Sequence, residues 1–229
     1  MNGSALSPYA FERMATDTSA GQRMDSGFLR ARLASLLAVM PLGVWTVAHL
    51  WSNLSALRGP AAWEDAVTHF SHPVAHFATM VIALLPLALH TVWGVRRLAS
   101  TRPNNQRYRS FGNLKYAIQR LSAVGVLLFL GAHLFKAMIE PRLVHGHAET
   151  FADISTQMGH HPPTLAVYLL GTLGVAYHLG NGLQTFAMGW GLTTSRRALA
   201  RFEIVSYATF VLVLAMSWTV IWALWRAGQ

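Results

Sequence analysis

The chain has 229 residues, 53% of them apolar and only 12% charged, about half the charged share of an ordinary soluble domain. Cysteine is absent, which excludes disulfides, thiolate zinc sites, protein-held iron–sulfur clusters and thioether-linked cofactors. Eighteen Lys and Arg against nine Asp and Glu leave a net charge of +9, and with eleven His present any metal chemistry rests on His, Met or oxygen ligands.

Residues 1–30 are polar and rich in Ser, Gly and Thr. They lack an apolar core followed by a small-residue cleavage site, so they read as a polar arm and not as a signal peptide. From residue 31 to 229 the character changes. A helix crossing a bilayer core about 30 Å thick needs ~20 mostly apolar residues. Five stretches qualify: 33–54, 73–95, 118–139, 163–190 and 204–225. Arg120 and Lys136 fall near the ends of the third and are long enough to snorkel. The runs are continuously apolar and Leu/Ala-rich, not short and alternating, so helices are expected and a β-barrel is not. The expected fold is an all-α integral membrane protein, a bundle of five transmembrane helices.

Fourteen of the eighteen Lys and Arg fall in the arm, the second loop with its flanks, and the fourth loop. Arg58, Arg142 and Arg226 lie on the other side. This bias places the N-terminus in the cytoplasm and the C-terminus outside. Topology thus accounts for the basic balance, and no nucleic-acid partner is called for. The dense patch of the second loop suits an acidic protein or anionic headgroups.

Four histidines fall within the spans, one on each of the first four: His49, His90, His133 and His178. An ionisable group at membrane depth is costly and marks a functional site by default, although a single one is equally a packing residue bonded across helices. Depth sorts them. At 1.5 Å per residue, His49 and His133 lie roughly 24 and 27 Å from the cytoplasmic ends of their helices, and His90 lies roughly 9 Å from its own. His178 sits somewhat on the cytoplasmic side of the middle. The result is an outer pair, His49 with His133, and an inner pair, His90 with His178. Facing neutral imidazoles are what a six-coordinate haem iron requires. Small residues near these positions, Gly43, Gly94, Gly131, Gly171, Gly174, Gly180 and Gly182, give room for a flat macrocycle or simply for close helix packing. Bacteriochlorophyll or a metal ion also takes His. A transported metal calls for several donors on one path, and the spans carry no Asp or Glu except Glu140 and Glu203 at their ends. The reading from another class is a haem-free anchor or a His-lined metal or ion transporter.

The stretches RLASLLAVMPLGVWTVAHL, LLPLALHTVWGV, QRLSAVGVLLFLGAHLF and YHLGNGLQTFAMGWGLTTSRR resemble the di-haem cytochrome b (b558-type) membrane anchor of succinate:quinone oxidoreductases and fumarate reductases. The resemblance runs from about residue 28 to the end and keeps all five spans in register. It implies two b haems, with His90 and His178 as axial ligands of the proximal one and His49 and His133 of the distal one. Tentative propionate contacts are Arg32, Ser35 and Arg120. It also implies a bacterial cytoplasmic membrane, a flavoprotein and an iron–sulfur subunit on the cytoplasmic face, a dicarboxylate site in a partner, and menaquinone as the quinone. Menaquinone reduction by succinate is uphill, and electron movement across the membrane draws on the membrane potential at about 2.3 kcal/mol per charge per 100 mV. Two departures from the family stand out. Ala34 precedes Ser35 where many relatives carry His, and Ala176 stands where some fumarate reductases carry a proton-transferring Glu. The remaining histidines, His69, His72, His76, His145, His147, His160 and His161, gather in or beside outward loops. There they are either solvated residues or, with Glu64 or Asp65, a proton relay to an outer quinone pocket.

Overall fold

The computed structural model describes residues 26–68, 73–101 and 109–229. These are almost entirely helical, with no strand among them. The long helices are α1 (Ser26–Leu37) running through a π turn (Ala38–Gly43) into α2 (Val44–Asn53), then α4 (Pro73–Ser100), α5 (Phe111–Leu134), α7 (Pro162–Gly189) and α8 (Arg196–Ala227). Two short helices, α3 (Pro60–Val67) and α6 (Phe151–His160), lie in the loops away from the basic end. Residues 26–30, read from sequence as the end of the arm, are the first turn and more of α1. The earlier arm, His69, His72, Arg102 and Arg107 lie outside the described residues, as does the side chain of His76.

Among the described residues four helices are long and apolar enough to cross a membrane: Gly27–Arg58, Met80–Ser100, Phe111–His145 and Arg196–Ala227. The fifth expected span, α7, has the length, 28 residues, and no charged residue, but is not among those four. It is the central helix, packed against α5 on one side and α8 on the other, with Thr164, Tyr168, Gly171, Ala176, Gly180, Gln184 and Ala187 buried. A helix facing protein on several sides needs shape and hydrogen bonds more than lipid solubility. The other helices turn large apolar side chains outward, Trp51 at 73% exposure among them, as a lipid-facing surface does.

Caps set the boundaries. Ser110 and Ser195 accept from backbone N–H groups three residues on, at the starts of α5 and α8. Thr150 and Asp153 form a reciprocal capping box on α6. Gly191, at φ 70°, turns the chain out of α7. Leu192 N–H then bonds Ala187 O at 2.9 Å, a closure that a left-handed glycine permits. Gly180 lets α7 and α8 touch. A Cβ there would lie 2.8 Å from Ser206 O, and Ser206 Oγ donates to Gly180 O at 2.5 Å.

Both carboxylates at the span ends are neutralised. Glu203 pairs with Lys115 across α8 and α5. Glu140 pairs with Lys136 at 2.7 Å one turn away, so that lysine is bridged and not simply snorkelling. At the end away from the basic loops, α3 and α6 close the bundle over a core of Trp63, Phe151, Ile154, Met158, Tyr168 and Leu224. Glu64 Oε1 accepts from Phe151 N–H at 3.1 Å and ties the two short helices together.

Candidate haem-ligand site

The four membrane histidines meet as two pairs. His49 on α2 and His133 on α5 have ring centroids 6.0 Å apart, with planes crossed at 69°. His90 on α4 and His178 on α7 are 6.3 Å apart, crossed at 70°. Two metal–nitrogen bonds of ~2 Å, plus ~1.1 Å from each donor nitrogen to its ring centre, put trans imidazole centroids about 6.2 Å apart. Both pairs therefore have the separation at which one metal atom fits between the rings.

Local sequence explains how each ring is held. His49 stacks on Trp45 (4.7 Å, 10°) and His133 on Phe129 (5.6 Å, 19°), each an aromatic one helical turn back. Phe129 reaches this place because Gly171 on α7 has no Cβ to block it. Asn53 Nδ2 donates to His49 O at 2.8 Å, and Trp63 Nε1 of α3 holds Asn53 Oδ1 at 3.1 Å. Both outer histidines also sit beside π turns, Ala38–Gly43 with Pro41 before His49 and Phe135–Ile139 after His133. Such turns shift the register of a helix face.

Polar neighbours hold Nδ1 of two of the rings, and Asn53 Nδ2 lies 3.4 Å from Nε2 of His49. His133 Nδ1 lies 3.2 Å from Tyr168 Oη. His178 Nδ1 lies 3.3 Å from Ser122 Oγ, whose own proton goes to Gln119 O at 2.9 Å. Gln119 Nε2 lies at the same 3.3 Å from His178 Nδ1, so this nitrogen is held between a hydroxyl and an amide, and the tautomer decides which of them it bonds. Gln119 is itself locked, donating to His178 O at 3.1 Å and accepting from Asn181 at 2.9 Å. With Nδ1 of His133 and His178 so engaged, Nε2 is the nitrogen left open on each of these rings, and a histidine that binds a metal through Nε2 is commonly oriented in this way through Nδ1. His90 Nδ1 is buried without a hydrogen-bond partner, although the Ala34 backbone approaches the ring.

Among the described residues no group of three or more His, Cys, Asp or Glu could hold a metal ion. Each tier offers two protein donors, which suits a metal whose other ligands come from a macrocycle. The glycines sort accordingly. Gly171 and Gly180 serve packing, whereas a Cβ at Gly94 or Gly131 would meet nothing within 4 Å. Gly94 lies one turn from His90 on the same helix face.

The tentative propionate contacts fall near the inner tier. Ser35 Oγ donates to Arg32 O at 2.8 Å and accepts from Trp190 Nε1 at 3.0 Å. The Arg32 guanidinium lies over the Phe28 ring. Arg120 is differently placed. It donates to Leu98 O and Thr101 O, and to the Thr101 and Tyr116 hydroxyls, capping the end of α4 and leaving only Nε uncommitted. Of the loop histidines, His161 is the N-cap of α7, its Nδ1 accepting from Thr164 N–H at 3.3 Å. His145 and His147 stack on each other. Ala176 is fully buried. Sequence reading missed Tyr168, Gln119, Ser122, Asn53 and Glu149. The aromatic four residues before each outer histidine was the available signal for how those rings are held.

Residues 99–216 match the family model of the succinate dehydrogenase/fumarate reductase transmembrane subunit. The chain belongs to that family. It is also 32% identical over 193 residues to the succinate dehydrogenase cytochrome b558 subunit of Bacillus subtilis (strain 168), across 83% of this chain and 92% of the relative. As a membrane subunit of the succinate dehydrogenase family, it works within an enzyme complex.

Proposed function

We propose that this chain anchors a succinate dehydrogenase in the bacterial cytoplasmic membrane and carries electrons between iron–sulfur clusters of a partner and menaquinone. Two b haems would be held by His90 with His178 nearer the cytoplasm and by His49 with His133 farther out. The observation that carries this is the paired geometry, centroids 6.0 and 6.3 Å apart in two tiers. When bound, each haem supplies a one-electron carrier.

The chain's own residues do the rest. Tyr168 would orient His133 through Nδ1, and Ser122 with Gln119 would orient His178 in the same way, leaving Nε2 of each ring for the metal. Trp45 and Phe129 keep the outer rings from rotating. Arg32 would be the propionate contact of the inner tier, whereas Ser35 would have to give up its bond to Arg32 O to donate to one. The short helices α3 and α6 cover the outer tier and keep it from water. The basic loops set the N-terminus, the second loop and the fourth loop in the cytoplasm, where a flavoprotein and an iron–sulfur protein would dock, and α7 makes the fifth span. Residues 1–30 would stay outside the bilayer core and 31–229 form the cytochrome domain. A His-lined transporter finds no support, because no third donor joins either pair among the described residues.

The test is pigment analysis of the purified complex. Two haem b per chain, with sharp reduced-minus-oxidised α bands, is the expected result. A chain without haem would overturn the reading and favour a bare anchor.

A further inference from the structure

Beside the outer tier lies a carboxyl group that the electron-transfer reading leaves unused. Glu149, between the π turns after α5 and the start of α6, is only 7% exposed, and its Oε1 is buried with no hydrogen-bond partner. The titratable groups that act on it are Lys136, Glu140 and Arg142 from the π-turn stretch after α5, Asp153 from α6 and Tyr168 from α7. The two cations are committed elsewhere. Lys136 is bridged to Glu140 at 2.7 Å, and Arg142 donates to Met138 O at 3.0 Å. Asp153 is held by Thr150 N–H at 3.0 Å. Among the described residues neither cation pairs with Glu149, although both act on it from a distance and favour its charged form. Its carboxyl is pushed up to about 8, by burial first and then by Asp153 and Glu140. Glu149 lies within electrostatic reach of Tyr168, and Tyr168 Oη is 3.2 Å from His133 Nδ1.

We propose that Glu149 is the proton-holding residue of the outer tier, taking one proton from water at that face when one electron reaches the group held by His49 and His133. This rests on the haem reading above. The electron comes from the complex's own clusters or from a titrant. The proton comes from outside water and forms the O–H bond of Glu149, and both leave on oxidation. Charge thus balances within a low-dielectric site, where an uncompensated electron is costly. The physical basis is one-directional. A positive ferric centre favours the carboxylate and lowers its affinity for a proton, while a neutral ferrous centre leaves that affinity near the value set by burial. Between those two values the outer group's potential must fall as pH rises.

The experiment is a spectroelectrochemical titration of the purified complex between about pH 6 and 9, wild type against Glu149→Gln and Glu149→Asp. In the wild type the signal that His133→Leu removes shifts toward a tenfold change in its redox equilibrium per pH unit, 59 mV for one electron. Glu149→Gln keeps both haems and loses that dependence, and Glu149→Asp keeps it with a displaced midpoint. Infrared spectra provide a readout that needs no haem. A protonated-carboxyl band is present at neutral pH and missing in Glu149→Gln. An unchanged pH slope in Glu149→Gln, or no such band in the wild type, overturns this proposal and leaves the haem reading standing. Absence of haem from the wild type overturns both.

Discussion

Gly180→Ala tests whether the close approach of α7 to α8 holds the inner tier in place. The added methyl would lie 2.8 Å from Ser206 O, 3.0 Å from Phe210 Cβ and 3.2 Å from Phe210 N. Two of those atoms are backbone, so neither helix yields by a side-chain rotation, and the helices must part by roughly 0.5 Å to restore ordinary contact. Overpacking of this kind costs about 1–3 kcal/mol. Weakening the 2.5 Å bond from Ser206 Oγ to Gly180 O adds about 1 kcal/mol. Against these, alanine gains about 1 kcal/mol of helix propensity over glycine. The net expectation is a loss of about 1–3 kcal/mol, a Tm lower by roughly 5 °C in a chain of this size. Because His178 is two residues away, the inner haem signal weakens while the outer one stays. Gly182→Ala is the control. Its new Cβ would meet Gln119 Nε2 at an ordinary 3.7 Å and should leave Tm equal or higher. Thermal unfolding of the detergent-solubilised complex, followed with haem absorbance, measures both. A Gly180→Ala chain as stable as wild type would refute the reasoning.

Gly94→Leu separates a haem protein from a bare anchor. The chain itself has nothing within 4 Å of the new Cβ, so the added bulk falls first on whatever is bound beside His90 and the inner haem is lost; an assembled variant that retains both haems would count against a macrocycle there. Glu149 also predicts a pH dependence of stability. Its carboxyl is raised in the folded chain, so its contribution is fully present at acid pH and is lost as pH rises through about 8. Thermal melts should therefore show Tm falling with pH, and Glu149→Gln should flatten the curve. Arg120→Ala, which removes the cap on α4, should cost about 2 kcal/mol in unfolding yet leave both haem spectra in place. A lost haem there would return Arg120 to the propionate contacts.

Much of this was legible in the sequence because the membrane simplifies the problem. Long apolar runs can only be helices, basic residues mark one end, and the rise per residue turns positions of His49, His90, His133 and His178 into depths. That arithmetic paired the rings as the structure does. It was least complete for α7, which the sequence counts as a span and which is not among the four helices that qualify by length and apolarity. Side-chain partners were not legible either. Nothing in spacing says that Gln119 is locked between His178 and Asn181, or that Arg120 turns back onto Leu98 and Thr101. The carboxylates expected beside the outer face were Glu64 or Asp65. Glu64 instead bonds Phe151 N–H, and Glu149 is the buried one. Exposure of a loop residue depends on how α3 and α6 fold over the bundle end, and that is tertiary information.

The pairing itself is tested most directly by counting haems in four single variants of the purified complex, His49→Leu, His90→Leu, His133→Leu and His178→Leu. The expected result is one haem in each. His49→Leu and His133→Leu would lose the same spectral component, and His90→Leu and His178→Leu the other. If the variants instead grouped in any other way, or if none lost haem, the two-tier account would be contradicted.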